Sequence, residues 1–344
     1  MGIPKKCQPL VGMTQPGFTE PGPDVEDPAM RGRSNSLCHL VFTVFILLVG
    51  GASVSGLRVC SYNVQRFNSA KAANYVVLHT VTRIVSRCDI CLLQHVVDPD
   101  GKAIKALLTL LNRKFDRYGK HRYEAVSSKG LGKSSDDMQQ YVFIYRARLV
   151  NVTGQHQYNG KQAFVRPPFA VQFYCNKTDI KDFILVPLHS DPEQAIQEID
   201  SLYDVFEEVS AKWNNTNVMF LGDFHASCAY VTRSNKRDIR LYKDSNFSWL
   251  IGDGVDTTVT DETNCAYDRI VVYGQPFLMG IQPFSGKVFN FGKEFKINQR
   301  KVLVVSDHYP IEVTLKGSAF LLQATPLLIL LGVSVIVQFF LPAV

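Results

Sequence analysis

The chain has 344 residues, of which 46% are hydrophobic and 20% are charged, with 23 Gly and 16 Pro. This composition excludes a disordered chain, a collagen and a coiled coil, and the two long apolar runs, both at chain ends, exclude a polytopic membrane protein. The net charge of +6 falls on residues 57 to 317, which indicates either a polyanionic partner or a simple solubility charge.

The N-terminal segment is typical of a targeting signal. Residues 1 to 29 are rich in Pro and Gly and are interpreted as an upstream extension. Arg31 and Arg33 then precede an apolar run at residues 40 to 49 and a stretch of small residues, which predicts a signal peptide over residues 30 to 56 that starts better at Met30 than at Met1. The apolar run is too short to cross a bilayer, so a signal anchor is the weaker alternative.

Residues 57 to 316 contain no linker, repeat or change of composition, which predicts one domain. Short apolar runs predict strands at residues 57–62, 89–94, 141–145, 169–173, 183–188, 218–221, 269–272, 302–305 and 311–315. Amphipathic periodicity predicts helices at residues 74–87, 103–112 and 193–212, the last with Asp191 as N-cap. The predicted fold class is therefore α/β (α+β), a two-sheet sandwich with outer helices.

Export through the secretory pathway predicts glycans and disulfides. The glycosylation sequons lie at Asn151, Asn176, Asn214 and Asn246. Eight cysteines are few for a disulfide scaffold of this length. Cys228 and Cys265 lie beside polar, turn-like residues and are predicted to pair. Cys60, Cys88 and Cys91 lie in apolar strand contexts and are predicted to be buried thiols.

The C-terminal segment, residues 317 to 344, has the layout of a glycosylphosphatidylinositol attachment signal. Small residues at 317 to 319 precede an almost purely apolar run at residues 326 to 344, and no Lys or Arg follows it. This predicts a lipid-anchored protein at the cell surface or in the endoplasmic reticulum. A single transmembrane helix is the alternative, but such a helix normally ends in a basic cytoplasmic stop.

Polar residues lie at the ends of several predicted strands. Asn63, His189 and Asp223 each follow a strand, the pair Asp307 and His308 follows another apolar run, and Asp268 opens a strand. One such residue is usually a loop cap. Five segments with the same pattern indicate a site at one sheet edge, where Asp, Asn and His can hold a hard cation and transfer protons.

The segments around these residues resemble the deoxyribonuclease I family. They read LRVCSYN at residues 57–63, PLHS at 187–190, LGDF at 221–224, TNCAYDRIV at 263–271 and SDHYP at 306–310. The resemblance extends in order over residues 57 to 315 and, with the apolar tail, is closest to the membrane-anchored branch. It implies a monomeric protein with the endonuclease/exonuclease/phosphatase-like fold that cuts DNA phosphodiesters with a divalent cation, Mg or Ca.

The same resemblance implies the catalytic roles. His189 and His308 would transfer protons on either side of the scissile phosphate, and Asp268 would orient His308 or position the attacking water. This interpretation requires the imidazoles of His189 and His308 to lie close together on one rim of the sandwich. If the two rings were far apart or on opposite faces, the nuclease interpretation would fail.

The resemblance also implies ligand contacts. Asn63, Asp223 and Asp307 would hold the metal ion and the phosphate, because metal ions stabilise charge on the phosphate oxygens. Arg166 and Tyr267 match family positions that contact DNA phosphates, and the planar guanidinium of arginine suits that use.

Several positions depart from the family pattern. His95 replaces the glutamate that is the main carboxylate ligand of the cation, and Gln139 replaces a glutamate that supports the first catalytic histidine. His225 replaces an asparagine, Val97 an arginine, and Asp137 an aromatic residue that stacks in the DNA groove. Loss of a carboxylate at position 95 predicts weak magnesium binding. Gln139 is expected to hydrogen-bond His189 without stabilising its charged form.

These departures leave two interpretations of the metal site. His95 and His225, with Asp223 or Asp307, would form a nitrogen and oxygen site suited to Zn, Mn or Co, or the changes reflect drift. The sequence therefore predicts a surface-anchored endonuclease weakened or altered at its metal site. The alternative is a catalytically inactive family member that binds DNA or a protein partner, whereas a phosphodiesterase acting on lipid or nucleotides is disfavoured by the close motif matches.

Overall fold

The structure is a computed structural model that describes residues 56–113, 121–160 and 163–318. The strands are β1 (Leu57–Phe67), β2 (Ile90–Val96), β3 (Tyr123–Ser127), β4 (Gln140–Arg146), β5 (Asn151–Gln157), β6 (Phe169–Tyr174), β7 (Asp182–His189), β8 (Val218–Asp223), β9 (Phe247–Trp249), β10 (Asp268–Tyr273), β11 (Lys287–Val288) and β12 (Ile311–Leu315). The helices are α1 (Ser69–Ala73), α2 (Tyr75–Val85), α3 (Lys102–Leu111), α4 (Ala195–Trp213), α5 (Arg240–Lys243), α6 (Gln275–Met279), α7 (Phe291–Phe295) and α8 (Gln299–Val305).

The strands form two six-stranded sheets, ordered β11-β12-β1-β2-β4-β3 and β5-β6-β7-β8-β10-β9. One parallel pair lies inside each sheet, β1 with β2 in the first and β7 with β8 in the second. The carboxyl ends of two parallel neighbours meet at the same edge of a sheet. In the second sheet this register places His189 directly beside Asp223.

Apolar side chains fill three layers. The inner layer lies between the sheets and includes Val59, Phe173 and Leu221. Helices α1 to α3, α7 and α8 pack on the outer face of the first sheet, and α4 packs on the outer face of the second. Because both sheets are covered on both faces, their central strands are mostly apolar, with polar residues near the ends that carry the site. The predicted two-sheet sandwich with outer helices is confirmed.

One predicted strand is wrong. Residues 302–305 belong to helix α8, which begins after Asn298, whose side chain accepts a hydrogen bond from the Lys301 N–H at 3.0 Å. Val302 and Val305 are buried, whereas Val304 is 52% exposed, so the buried positions follow a helical spacing. A short apolar run does not by itself distinguish a strand from a helix.

The cysteines also differ in part from expectation. A disulfide joins Cys228 and Cys265, the pair predicted from the sequence. A second disulfide joins Cys60 and Cys88, so the prediction of free thiols at these two positions is wrong. Cys60 lies on β1 and Cys88 precedes the neighbouring strand β2, which brings their Cα atoms to 6.1 Å. An apolar context predicts burial but does not distinguish a thiol from a disulfide; Cys91 is a buried free thiol.

The two predicted targeting segments lie almost entirely outside the described residues. The upstream extension and the signal peptide precede residue 56, and the apolar tail follows residue 318. Across residues 56–113, 121–160 and 163–318, no helix is both long and apolar enough to cross a bilayer. All four sequon asparagines are exposed, and their glycosylation stays a prediction: Asn151, Asn176, Asn214 and Asn246.

Candidate active site

Asp223 lies at the centre of a buried polar cluster at one end of the sandwich. It is the last residue of β8, and Gly222 before it has a φ of +144°, where a side chain would collide with the Leu188 carbonyl group. The glycine therefore allows β7 to approach β8 closely and brings His189 beside Asp223. From the other sheet, Asn63 Nδ2 donates a hydrogen bond of 2.9 Å to the Asp223 carboxylate.

Three imidazoles surround the Asp223 carboxylate. The Nε2 atoms of His189 and His308 lie 3.8 and 3.6 Å from the same oxygen, Oδ2, and His225 Nδ1 lies 3.5 Å from Oδ1. Burial favours the neutral carboxyl group, but the imidazoles outweigh burial and hold the pKa of Asp223 well below its usual value. The structure thus brings His189 and His308 together, as the nuclease interpretation requires.

A second carboxylate fixes the His308 ring. His308 Nδ1 lies 2.7 Å from Asp268 Oδ2, and the backbone N–H of His308 donates to Ser306 Oγ at 3.1 Å. Burial lowers the pKa of His308, but the carboxylates of Asp268 and Asp223 together raise it to about 10. The imidazole is therefore protonated at neutral pH, with its Nε2 directed at Asp223.

His189 is in the opposite protonation state. Burial lowers its pKa well below the usual value, and the Arg166 guanidinium adds to this effect against the pull of Asp223. The backbone N–H of His189 donates to the Tyr141 hydroxyl at 3.0 Å, while its Nδ1 has no hydrogen-bond partner among the described residues. A neutral imidazole therefore faces Asp223 beside a protonated one, which is an arrangement suited to general acid–base catalysis.

The expected hydrogen bond between Gln139 and His189 is not formed. Gln139 Nε2 donates instead to Asp137 Oδ1 at 3.3 Å, and Gln139 Oε1 is buried without a partner in the described part of the chain. Gln139 and His189 nevertheless line the same small cavity, together with His95 and Arg166. The Asp137 carboxylate is a stronger hydrogen-bond acceptor than an imidazole nitrogen, so the Gln139 amide donates to Asp137.

His95 and His225 flank His189. Their ring centroids lie 5.1 and 6.2 Å from that of His189, and both have positive φ angles, 58° and 49°. Such angles are uncommon outside glycine and cluster at functional sites. Burial, helped by the Arg166 charge, lowers the pKa of His95 to about 4, so the ring is neutral. His225 Nδ1 is hydrogen-bonded to Ser190 Oγ at 3.0 Å.

The predicted metal ligands surround Asp223 without forming one closed set. Asn63 uses its amide nitrogen for Asp223 and its oxygen for a backbone N–H, and Asp307 is half-exposed, 4.0 Å from His308 Nε2. Within the described ranges, potential ligand atoms lie within 4.8 Å of one another at Asp223, Asp268 and His308. His308 is protonated and bonded to Asp268, so a nitrogen ligand at this cluster would come from another imidazole near Asp223, such as His95 or His225. Nitrogen ligands of this kind suit first-row transition metals and zinc better than magnesium.

The two predicted DNA-binding residues border the same cluster. Arg166 Nη1 donates to the carbonyl oxygen of the last residue of β7 at 3.4 Å. The Tyr267 ring lies 5.5 Å from the ring of His225 and 6.4 Å from that of His308. Tyr230, for which the sequence carries no signal, packs 5.6 Å from Tyr267 and is 39% exposed. These tyrosines give the rim an aromatic surface.

Gln94 connects the two sheets beneath the cluster. Its Oε1 accepts hydrogen bonds from Ser61 Oγ at 3.3 Å and from the Asp223 N–H at 3.1 Å, and its Nε2 donates to the Leu188 oxygen at 2.5 Å. The side chain is fully buried. The one signal in the sequence is an amide inside an otherwise apolar strand, which the strand pattern alone does not explain.

Comparison with known proteins identifies the family. The model of the endonuclease/exonuclease/phosphatase family matches residues 60–308. Human deoxyribonuclease gamma is 38% identical over 280 residues, which cover 80% of this chain and 91% of that protein. Human deoxyribonuclease-1-like 1 is 40% identical over 295 residues, 85% of this chain and 95% of that protein. The chain belongs to the deoxyribonuclease I family.

Other comparisons agree with this assignment. Mouse deoxyribonuclease-1-like 2 is 41% identical to this deoxyribonuclease I family member over 269 residues, 78% of this chain and 95% of that protein. An endonuclease/exonuclease/phosphatase from Bacteroides vulgatus superposes with a TM-score of 0.53 at 15% identity, covering 77% of this chain and all of that one. The human Nocturnin catalytic domain superposes with a TM-score of 0.52 at 12% identity, and the match covers 78% of this chain and 96% of that one. The two structures share the fold. The resemblance inferred from the sequence motifs is confirmed.

Proposed function

We propose that this chain is an endodeoxyribonuclease of the secretory pathway that hydrolyses DNA phosphodiester bonds with a divalent cation and two histidines. The observation that carries the proposal is the position of His189 and His308, whose Nε2 atoms face one oxygen of Asp223 in a chain of the deoxyribonuclease I family. Of two imidazoles at one carboxylate, one can accept a proton from the attacking water while the other donates a proton to the leaving oxygen.

In the proposed reaction, a water oxygen forms a bond to phosphorus while the bond to the leaving oxygen breaks. One imidazole of the pair His189 and His308 accepts the proton of the water, and the other donates a proton to the leaving oxygen. Asp268 fixes the ring of His308 through the 2.7 Å contact. Arg166 and Tyr267, at the border of the cluster, would bind phosphate oxygens of the substrate.

The cation would be held by Asp223, with His225, His95 or Asp307 as further ligands. When bound, a divalent cation stabilises the negative charge that develops on the phosphate oxygens. The family resemblance implies Mg or Ca, whereas the imidazoles of His95 and His225 near Asp223 support a preference for Mn, Zn or Co here.

A plasmid-nicking assay across Mg, Ca, Mn, Zn and Co tests this proposal. Wild-type protein is expected to nick with at least one of Mn, Zn and Co more rapidly than with Mg, and His189→Ala and His308→Ala are each expected to lose about 10²- to 10⁴-fold in rate. Circular dichroism of each protein controls for folding. Inactivity of the folded wild type with every cation would contradict the enzymatic proposal.

The second candidate is a catalytically inactive family member that binds DNA or a protein partner. It is favoured by the local chemistry around His189, because Gln139 bonds to Asp137 and the Nδ1 of His189 has no partner among residues 56–113, 121–160 and 163–318. His95 also stands where the family pattern has a carboxylate. This candidate predicts binding of DNA or a partner protein without nicking under any metal condition.

We further propose that the protein is a glycosylated monomer held at the cell surface by a C-terminal lipid anchor. The exposure of all four sequon asparagines supports glycosylation, and the small residues before the apolar tail support the anchor. Treatment of intact cells with a phosphatidylinositol-specific phospholipase is expected to release the protein. Retention on the treated cells would favour a single transmembrane helix.

A further inference from the structure

Arg166 is already paired with a carboxylate of its own chain. Its Nη2 lies 2.9 Å from Asp137 Oδ1, and the two side chains are 9% and 35% exposed, respectively. Asp137 ends the short 3-10 turn Ser135–Asp137 and also accepts the hydrogen bond from Gln139. The carboxylate is therefore the solvent-facing partner of the pair, and the guanidinium is the buried one.

This arrangement places an anion where a phosphate oxygen of the substrate would bind. Carboxylate and phosphate groups both form charge-assisted hydrogen bonds to a guanidinium, so they compete for the same N–H groups. Arg166 has little freedom to move away, since its Nη1 is held by the His189 carbonyl oxygen at 3.4 Å. A phosphate must therefore displace the Asp137 carboxylate or bind beside it against like-charge repulsion.

We propose that Asp137 is an affinity-determining residue that competes with DNA phosphate for Arg166. The proposal rests on the proposed function, because it takes Arg166 as a phosphate-binding residue. It assigns a role to the aspartate that stands where the family pattern has an aromatic residue: it lowers DNA affinity by occupying the arginine.

The chain supplies a matched control at the neighbouring position. Asp136 is exposed, carries the same charge one residue away, and accepts a 3.5 Å hydrogen bond from Ser135 Oγ. Across the described residues it takes part in no ion pair. Asp136→Asn therefore removes the same long-range charge as Asp137→Asn but leaves the contact to Arg166 intact.

The experiment measures binding of a short fluorescein-labelled DNA duplex to the full-length protein by anisotropy, in chelator, over a series of salt concentrations. Asp137→Asn is expected to tighten binding about tenfold and Asp136→Asn by no more than about twofold. Release of Arg166 for a phosphate contact should also steepen the salt dependence by up to about one unit of slope. Asp137→Ala, with thermal unfolding of each variant, provides a second replacement and a control for folding.

A double-mutant cycle separates the possible outcomes. In an Arg166→Ala background, Asp137→Asn is expected to have no larger effect than Asp136→Asn, because the competing partner is gone. If Arg166→Ala weakens DNA binding but the two Asn variants have equal effects while Arg166 is present, the competition is overturned and the proposed function stays intact. The same conclusion follows if the excess effect of Asp137→Asn persists without Arg166. If Arg166→Ala binds DNA as wild type does, or if no protein binds, the DNA-binding role of Arg166 and the competition both fail.

Discussion

At the scale of single residues, His95 and Gln139 form the surroundings of His189 beside the proposed cation site. Gln139 is turned toward Asp137, and the Nδ1 of His189 is buried without a partner in the described structure. A glutamate at position 139 would be repelled by the Asp137 carboxylate and would offer an acceptor that favours the His189 tautomer with its proton on Nδ1. A glutamate at position 95 would add a hard anionic ligand near Asp223.

The double variant His95→Glu with Gln139→Glu is therefore expected to gain magnesium-dependent nicking by about 10²-fold over wild type. The gain should depend on Mg, since the two added carboxylates repel each other and Asp223 when no cation is bound. His95→Gln, which changes the ring without adding charge, is the matched control. A folded double variant that nicks no faster than this control would show that the rest of the site is not competent.

The meeting of His189, Asp223 and His308 could be predicted from the sequence, because each follows or precedes a strand within a recognisable motif. The partner of Gln139 could not be predicted. Its amide orientation depends on Asp137, and an amide side chain offers both a donor and an acceptor to whatever lies nearby. The hydrogen bonds by which Gln94 joins the two sheets could not be predicted either, since a motif gives the position of a side chain but not its hydrogen bonds.

At the scale of elements, α4 links the two loops that carry the site. Its buried Glu198 accepts a hydrogen bond from the Val165 N–H at 2.8 Å through Oε1 and from the Asp191 N–H at 3.2 Å through Oε2. Val165 precedes Arg166, and Asp191 lies in the loop after β7. Burial raises the pKa of Glu198 from its ordinary 4.5 to about 7, although both hydrogen bonds oppose this.

A raised carboxyl pKa means that the folded protein binds the Glu198 proton more tightly than the unfolded chain does. The free energy of unfolding should therefore fall as pH rises from 4.5 to about 7, by about 3 kcal/mol from this group. In Glu198→Gln this decrease should be absent, so the stability advantage of wild type over the variant shrinks with rising pH. Urea unfolding across this pH range measures it.

The control for this titration is Glu207→Gln, which changes an exposed glutamate on the same helix. It should leave the pH dependence of unfolding as in wild type. Parallel stability curves for wild type and Glu198→Gln would show that Glu198 does not titrate in this range.

Whether a strand could be predicted from the sequence depends on its place in the sheet. The predicted strands that are correct correspond to β1, β2, β4, β6, β7, β8, β10 and β12, all in the interior of a sheet. The strands without a prediction, β3, β5, β9 and β11, are the sheet edges. Edge strands are short or partly solvated, as in β5, where buried residues are absent, so they lack the apolar run that marks an interior strand.

At the scale of the whole molecule, the site is shared between the two sheets. Asn63 lies within β1 and His308 precedes β12, both in the first sheet, whereas His189 and Asp223 end strands of the second. The distance between the site residues of the first sheet and those of the second depends on how the two sheets pack. Direct polar contacts between the sheets near the site also fix this distance. Gln94 on β2 makes two of these contacts, one to β7 and one to β8.

Replacement of Gln94 by Leu should therefore weaken both stability and the alignment of the site. The apolar side chain fills a similar volume but leaves the Asp223 N–H and the Leu188 carbonyl oxygen buried without partners, at about 1–3 kcal/mol for each group. We expect a loss of about 2–4 kcal/mol in the free energy of unfolding and a fall in DNA nicking measured below the unfolding transition. Gln140→Leu is the control, because the Gln140 amide donates to the Ser128 carbonyl oxygen within the first sheet alone. Equal stability losses in the two variants would mean that Gln94 contributes no more than an ordinary surface amide and that apolar packing alone aligns the sheets.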